Sequence, residues 1–220
     1  MGERRIGMQK KYNIKFLTLV WLGLLSIMVF HITWAQSIES PGQQFINIVD
    51  QMDVEHNWLP KEGIDWKTGK FDPNERAMSS HCSGFVAAVC NNFNIYILRP
   101  PDHPQEYLAN AQFDWLRDHG ATYGWMLVNT PDKAQQLANQ GLLVVVTYKN
   151  PQYHKAGHIA IVRPYEKNEE LIHEEGPQII QSGMQNYSST SLKIGFKHHP
   201  DAWVSDTDYQ VQFYAHKIPE

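Results

Sequence analysis

The sequence predicts an α+β fold in which helices come first along the chain and a cysteine-bearing helix packs on a C-terminal antiparallel β-sheet. Two observations support this expectation. In the first 141 residues, apolar side chains recur at helical spacing between capping and turn residues. From Leu142 onward the pattern changes to short, β-branched apolar runs, which are typical of strands. Helices followed by strands along a chain favour the α+β class.

Four helices are predicted, each bounded by a serine or threonine, a proline, or a glycine. They begin at Ser40-Pro41, after Ser79-Ser80, at Pro104 and at Thr130-Pro131, and the last three end near Asn91-Asn92, Gly120 and Gly141. In this interpretation Ser79 and Ser80 cap the second helix, so Cys82 lies in its first turn. Ile95 to Leu98 is expected to be a short extended piece between the second and third helices.

Five strands are predicted from the β-branched and aromatic runs of the second half. They cover Leu142–Tyr148, His158–Val162, Gln178–Ser182, Leu192–Phe196 and Tyr209–His216. The chain shows no internal repeat, low-complexity tract or long linker. Residues 36–220 are therefore expected to form a single domain.

Residues 1–35 are predicted to be an export signal and not part of the fold. Basic residues precede an apolar stretch of 15 residues from Phe16 to Phe30, and Thr33-Trp34-Ala35 offers small residues for cleavage before Gln36. A membrane span needs about 20 apolar residues, so cleavage is favoured over the alternative, an uncleaved N-terminal anchor. The mature protein is then expected to be periplasmic or secreted, without stable membrane insertion.

Charge argues against a nucleic-acid partner. Without the predicted signal, the chain carries 14 basic and 22 acidic side chains. Phosphate binding needs a basic surface, and the balance here has the opposite sign. A peptide or amide substrate is compatible with it.

Cys82 and Cys90 are the two cysteines of the chain. Eight residues along one helix separate Cα atoms by about 12 Å, whereas a disulfide needs less than about 7 Å. The pair is therefore predicted to be unbonded. Cys90 follows an apolar run and is expected to be a core residue. Cys82 lies where unpaired backbone N–H groups and the positive helix dipole favour a reactive thiolate.

Two motifs resemble a known family. His81-Cys82-Ser83-Gly84-Phe85-Val86 is similar to the Asp-Cys-Ser-Gly-Phe/Leu-Val signature of NlpC-type cysteine peptidases, which are bacterial cell-wall hydrolases with a minimal papain-like fold. Gly157-His158-Ile159-Ala160-Ile161-Val162 resembles their His-Val-Gly-Ile-Tyr strand and the Gly-His-Val-Ala-Val segment of the related CHAP amidases. The order, cysteine before histidine, fits both groups and not the permuted lipid acyltransferase relatives.

The resemblance implies a catalytic triad. Cys82 is the expected nucleophile and His158 the expected base, which takes the thiol proton and later gives it to the leaving amine. The NlpC pattern implies Gln181 as the third residue, which orients the histidine, and the CHAP pattern implies Asn186 instead. The backbone N–H of Cys82 is expected to receive the oxyanion.

The resulting expectation is an exported cysteine amidase or endopeptidase that cleaves peptidoglycan stem peptides without a cofactor or a metal. A non-catalytic exported binding protein and a secreted toxin or effector are the alternatives. His154 and His158 have a metal-like spacing, but the β-run that follows does not place them on one helix face, so a zinc site is disfavoured. His198 and His199 are expected to lie in a solvated loop.

Overall fold

The computed structural model describes residues 40–152 and 154–219, all within the compact unit Glu39–Glu220. The predicted export signal and its cleavage point before Gln36 lie outside the described residues. The α-helices of the described part are α1 (Pro41–Asp50), α2 (Cys82–Asn92), α3 (Leu108–Asp118), α4 (Pro131–Asn139), α5 (Glu169–Glu175) and α6 (Leu192–Gly195), and a short 3-10 helix covers Gly120–Tyr123. The strands are β1 (Met126–Val128), β2 (Leu143–Tyr148), β3 (His158–Val162), β4 (Gln178–Gln181), β5 (Tyr187–Ser191), β6 (Trp203–Ser205), β7 (Asp208–Tyr209) and β8 (Gln212–His216).

The centre of the fold is a six-stranded sheet with the order β1-β8-β2-β3-β4-β5. Every neighbouring pair in it is antiparallel, which confirms the α+β class with an antiparallel sheet. Strands β6 and β7 form a separate two-stranded sheet. Every residue of β2 and β3 is buried, because both faces of the sheet are covered, and this explains why their sequences are continuous apolar runs.

The two faces of the sheet carry two cores. Leu143, Val145, Ile159 and Ile161 point to the side where α2 packs, together with its buried run from Phe85 to Cys90. The alternate residues of the same strands point to the other side. They contribute to the second core with residues of α4 and α6 (Val144, Val146, Ala160, Val162, Ala134, Ala138 and Leu192).

Two of the four predicted helices begin with the predicted cap, and a third begins at the predicted place without it. Ser40 caps α1 by accepting a hydrogen bond from the backbone N–H of Gln43 at 3.2 Å, and Thr130 caps α4 in the same way. Helix α2 has the predicted bounds, but its N-cap residue is His81 and it has no side-chain cap. The prediction that Ser79 and Ser80 cap this helix is therefore wrong.

Helix α3 begins four residues later than predicted. Tyr107 precedes it with a left-handed backbone (φ 55°), which interrupts any helix that Pro104 would start. Residues 95–98, predicted to be a short extended piece, belong to no strand, and Leu98 lies in a bend. They lie inside the fold, because Ile95 and Ile97 are buried.

Strand predictions hold for β2, β3 and β4 to within one residue, and β8 begins three residues after its predicted start. Leu192–Phe196 is not a strand. Ser191 accepts a hydrogen bond from the backbone N–H of Ile194 and so caps the short helix α6. The strand that pairs with β4 is instead β5, whose Ser- and Thr-rich sequence suits a polar sheet edge.

Candidate active site

Cys82 is the first residue of α2, and the turn that precedes it is held in place by His81. The His81 side chain is 1% exposed, and its Nε2–H donates to the backbone oxygen of Glu62 at 2.9 Å. Burial lowers the pKa of His81, so the ring is neutral and adds no positive charge beside the thiol. His81 therefore anchors the backbone from which Cys82 projects.

His158 is the first residue of β3, and Gln181 is the last residue of β4. Val162 lies opposite Ile179 in the antiparallel register, so Gln181 falls opposite Ala160 and diagonal to His158. Diagonal neighbours on one sheet face are within reach of long side chains. The register of β3 and β4 thus places the two polar side chains side by side.

The contact between His158 and Gln181 fixes the histidine ring. His158 Nε2 lies 2.7 Å from Gln181 Oε1, and the amide Nε2 of Gln181 donates to the backbone oxygen of Gln185 at 3.2 Å. Because the amide oxygen can only accept, Nε2 of His158 carries a proton. Nδ1 is then the ring nitrogen that remains for Cys82.

Cys82 and His158 shift each other's pKa in complementary directions. Burial raises the pKa of the Cys82 thiol, but the charge of His158 and hydrogen bonds from His158, Ser80 and the Ile159 backbone outweigh it and lower the pKa to about 7. Burial lowers the pKa of His158, but the charge and hydrogen bond of Cys82 and the hydrogen bond of Gln181 raise it overall. The pair therefore favours a thiolate beside an imidazolium.

Cys90 has the opposite character. Both cysteines are free, as the helix geometry predicted. Cys90 is completely buried, and burial raises the pKa of its thiol. It is a core residue of α2 and holds its proton.

Two glycines leave room for the Gln181 side chain. A Cβ atom on Gly195 would come within 2.8 Å of Gln181 Oε1 and 2.4 Å of Ile179 Cδ1. A Cβ atom on Gly183 would lie 3.2 Å from Gln181 Nε2. The amide can reach His158 because these two positions carry no side chain.

Asn186, the alternative third residue, has a different role. Its Oδ1 accepts from the backbone N–H of Gly183 at 2.9 Å. Its Nδ2 lies 2.6 Å from the backbone oxygen of Val54, 3.0 Å from that of Asn57 and 3.2 Å from that of Trp58. Asn186 therefore ties two loops together, whereas Gln181 is the amide that contacts His158.

A cleft with a volume of about 770 Å³ opens beside these residues, and Ser80, His158 and Gln181 line it. Lys155 and Lys197 contribute positive charge to its wall, and Asp201 is the one carboxylate among its described lining residues. The hydroxyl of Tyr148 donates to Asp201 at 2.9 Å. The chain has a net charge of −4, so the cleft wall is more basic than the protein as a whole.

Two residues near the reacting pair have roles that were not predicted from the sequence. Ser80, interpreted as a helix cap, instead contributes to the lowered pKa of the Cys82 thiol. His199, expected in a solvated loop, is only partly exposed and stacks on His158 with ring centroids 6.0 Å apart. Burial and the charge of His158 lower the pKa of His199 to about 4. Ser80 could have been considered because it lies two residues before Cys82 at a helix start. No local pattern in the sequence indicates His199.

Residues 40–152 and 154–219 contain neither a cluster of metal ligands nor a helix that could span a membrane. No group of three or more His, Cys, Asp or Glu side chains there is arranged to hold a metal ion. Of the helices in those residues, none has the length and apolar character to cross a membrane.

The comparisons with known proteins add no relative. No protein-family model matches the chain, and no curated protein is significantly similar to it. The resemblance to NlpC-type peptidases and CHAP amidases therefore depends on the two motifs around Cys82 and His158.

Proposed function

We propose that this protein is an exported cysteine amidohydrolase that cleaves amide bonds in peptidoglycan stem peptides. The observation that carries the proposal is the Cys82–His158–Gln181 arrangement beside an open cleft, with the thiol pKa lowered to about 7. Shifted pKa values of a nucleophile and a base in a cleft are typical of catalytic sites. The resemblance to cell-wall hydrolases and the predicted export signal support the substrate.

The chemistry follows from the resting ion pair. The Cys82 thiolate attacks the amide carbonyl, and the backbone N–H of Cys82, which has no acceptor within its helix, donates to the developing oxyanion. His158 gives its Nδ1 proton to the leaving nitrogen as the C–N bond breaks. A water molecule, deprotonated by His158, then hydrolyses the thioester and restores the thiolate. Gln181 keeps the imidazole ring in the orientation that both steps need.

The charge of the cleft supports a substrate with carboxylates. Lys155 and Lys197 lie on its wall, and the wall's Asp201 is engaged by Tyr148. Stem peptides carry free carboxylates close to their amide bonds. Attraction between the lysines of the cleft and these carboxylates increases the local concentration of such a substrate and favours its correct orientation.

The test is mass spectrometry of purified peptidoglycan after incubation with the mature protein, residues 36–220. We expect new fragments in which one stem-peptide amide is hydrolysed. Cys82→Ala should release none of them, and Cys90→Ala, the matched control in the same helix, should release the same fragments as the wild type. Intact peptidoglycan with the wild-type protein, or equal digestion by Cys82→Ala, would refute the proposal.

A further inference from the structure

We propose that the hydroxyl group of Ser80 is a catalytic group, which donates first to the Cys82 thiolate and then to the oxyanion that forms when this thiolate attacks a carbonyl. The inference depends on the proposed acyl transfer at Cys82 and adds a donor that neither the motifs nor the resemblance indicates. It does not depend on peptidoglycan as the substrate.

Ser80 lines the cleft together with His158 and Gln181, two residues before Cys82 in the chain. Its exposure is intermediate, and its side chain contributes to the lowered pKa of the Cys82 thiol. It is not used as a helix cap, because α2 begins without a side-chain cap. The hydroxyl is therefore available both to the sulfur atom and to a ligand in the cleft.

The backbone around Ser80 is fixed on both sides. The backbone N–H of Lys61 donates to the oxygen of Met78 at 2.6 Å, and the N–H of Met78 donates to the oxygen of Glu62 at 3.2 Å. On the other side, the buried ring of His81 donates to the same Glu62 oxygen at 2.9 Å. Ser80 thus lies between two anchored residues, so rotation about its side-chain bond is the main freedom left to its hydroxyl.

The attack brings a second acceptor next to the first. As the S–C bond forms, the carbonyl electron pair moves to oxygen, so negative charge leaves the sulfur and appears on an atom bonded to the same carbon. A hydroxyl that was aimed at the sulfur needs only a small rotation to reach this oxygen, since hydroxyl rotors adapt to their acceptors. Ser80 keeps its proton throughout. His158 carries the transferred proton, which leaves with the amine when the C–N bond breaks.

The hydroxyl would complete a pair of oxyanion donors with the backbone N–H of Cys82. Removal of one such donor costs about 100- to 1,000-fold in rate in other acyl-transfer enzymes. Ser79 is the matched control: it lines the same cleft and is exposed, and it does not contribute to the pKa shift of Cys82.

Two reactions of the same thiol separate the two roles of Ser80. Alkylation by iodoacetamide displaces iodide at a saturated carbon and forms no oxyanion. Acylation by p-nitrophenyl acetate passes through an oxyanion and releases a coloured product. Both rates are measured against pH on the mature protein, up to the plateau where the thiol is fully ionised, for wild type, Ser80→Ala, Ser80→Thr and Ser79→Ala.

For Ser80→Ala we expect the alkylation profile to move to higher pH with an unchanged plateau, and the acylation plateau to fall by about 100- to 1,000-fold. Ser80→Thr, which restores a hydroxyl, should recover most of the acylation rate, and Ser79→Ala should match the wild type. Circular dichroism shows that each variant is folded.

Equal acylation plateaus for Ser80→Ala and wild type would overturn the proposal, as would an equal fall of both plateaus, since that indicates a general loss of access to the thiol. Absence of Cys82-dependent acylation in the wild type would overturn this proposal and the proposed function together. The expected acylation pattern combined with intact peptidoglycan would support the role of Ser80 and refute only the substrate.

Discussion

Replacement of His158 by alanine tests how the buried thiol of Cys82 is ionised. The pKa of this thiol is about 7, against an ordinary value of 9.0, although burial acts in the opposite direction. His158 supplies the two largest opposing contributions, its charge and its hydrogen bond. Without the ring, the only effects that still lower the pKa are the weaker hydrogen bonds from Ser80 and Ile159, while burial continues to raise it. The pKa of the Cys82 thiol is therefore expected to rise to 9 or above.

The size of the effect follows from this shift. At pH 7 a thiol with a pKa of about 7 is about one-half thiolate, whereas a thiol with a pKa of about 9 is about 1% thiolate. The rate of iodoacetamide alkylation at pH 7 should therefore fall by about 50-fold in His158→Ala. The thiolate form exists above the pKa, so the rate should recover as the pH is raised through 9.

The assay is the pH dependence of alkylation at Cys82, with the labelled residue identified by peptide mass spectrometry. His158→Gln serves as a second variant that fills more of the space left by the ring. Cys90→Ala should not change the profile, because Cys90 holds its proton. A midpoint that stays near pH 7 in both His158 variants, or faster labelling of Cys90 than of Cys82 in the native protein, would refute this account of the thiol.

Three further predictions test the surroundings of the pair. Gln181→Ala should lower activity by about 10- to 100-fold, less than His158→Ala, because it removes only the hydrogen bond that orients His158. Asn186→Ala should instead lower the free energy of unfolding by about 1–3 kcal/mol and leave the alkylation profile unchanged. The opposite ranking in activity assays and thermal melts would give the orienting role to Asn186. Cys90→Ala should cost about 1 kcal/mol of stability, seen as a lower melting temperature, with full activity, and a loss of activity would contradict its assignment to the core. Because the pKa of His199 is lowered from 6.5 to about 4, the unfolded chain binds a proton in this pH range that the folded chain does not, so stability falls as pH falls from 6.5 to 4. His199→Asn should flatten this decline in melting temperature, and an unchanged decline would refute it.

Much of the fold was predictable where a local signal agreed with the tertiary environment. The apolar run after Cys82 and the β-branched runs at β2 and β3 are long and uniform, so α2, β2 and β3 have nearly the predicted bounds. The prediction of a strand at Leu192–Phe196 was wrong, because Leu, Ile and Phe in such a short run are compatible with either a strand or a helix. There the hydroxyl of Ser191, which caps α6, decided the outcome.

The candidate site also has residues that the sequence indicated and one choice that it left open. The sequence alone indicated Cys82 at a helix start and His158 at a strand start, because each depends on residues beside it in the chain. The choice between Gln181 and Asn186 was open, since the NlpC pattern implies the first and the CHAP pattern the second. The register of β3 and β4 brings Gln181 into contact with His158, and that register is a property of the assembled sheet.

By itself, the sequence determined the α+β class and the unbonded state of the two cysteines, which follow from local periodicity and helix geometry. It also placed the thiol correctly in the first turn of a helix, although the serine caps from which this was inferred are not formed. Only the tertiary structure decided which polar groups surround that thiol. Glu62 and His199 reach the site through chain segments that no spacing rule connects to Cys82. Ser80 is its near neighbour in the chain, but its effect on the thiol pKa appears only in the folded structure. The physical reason is that a thiol pKa depends on burial and on charges a few ångströms away, and those distances exist only once the helix, the strands and their loops have packed together.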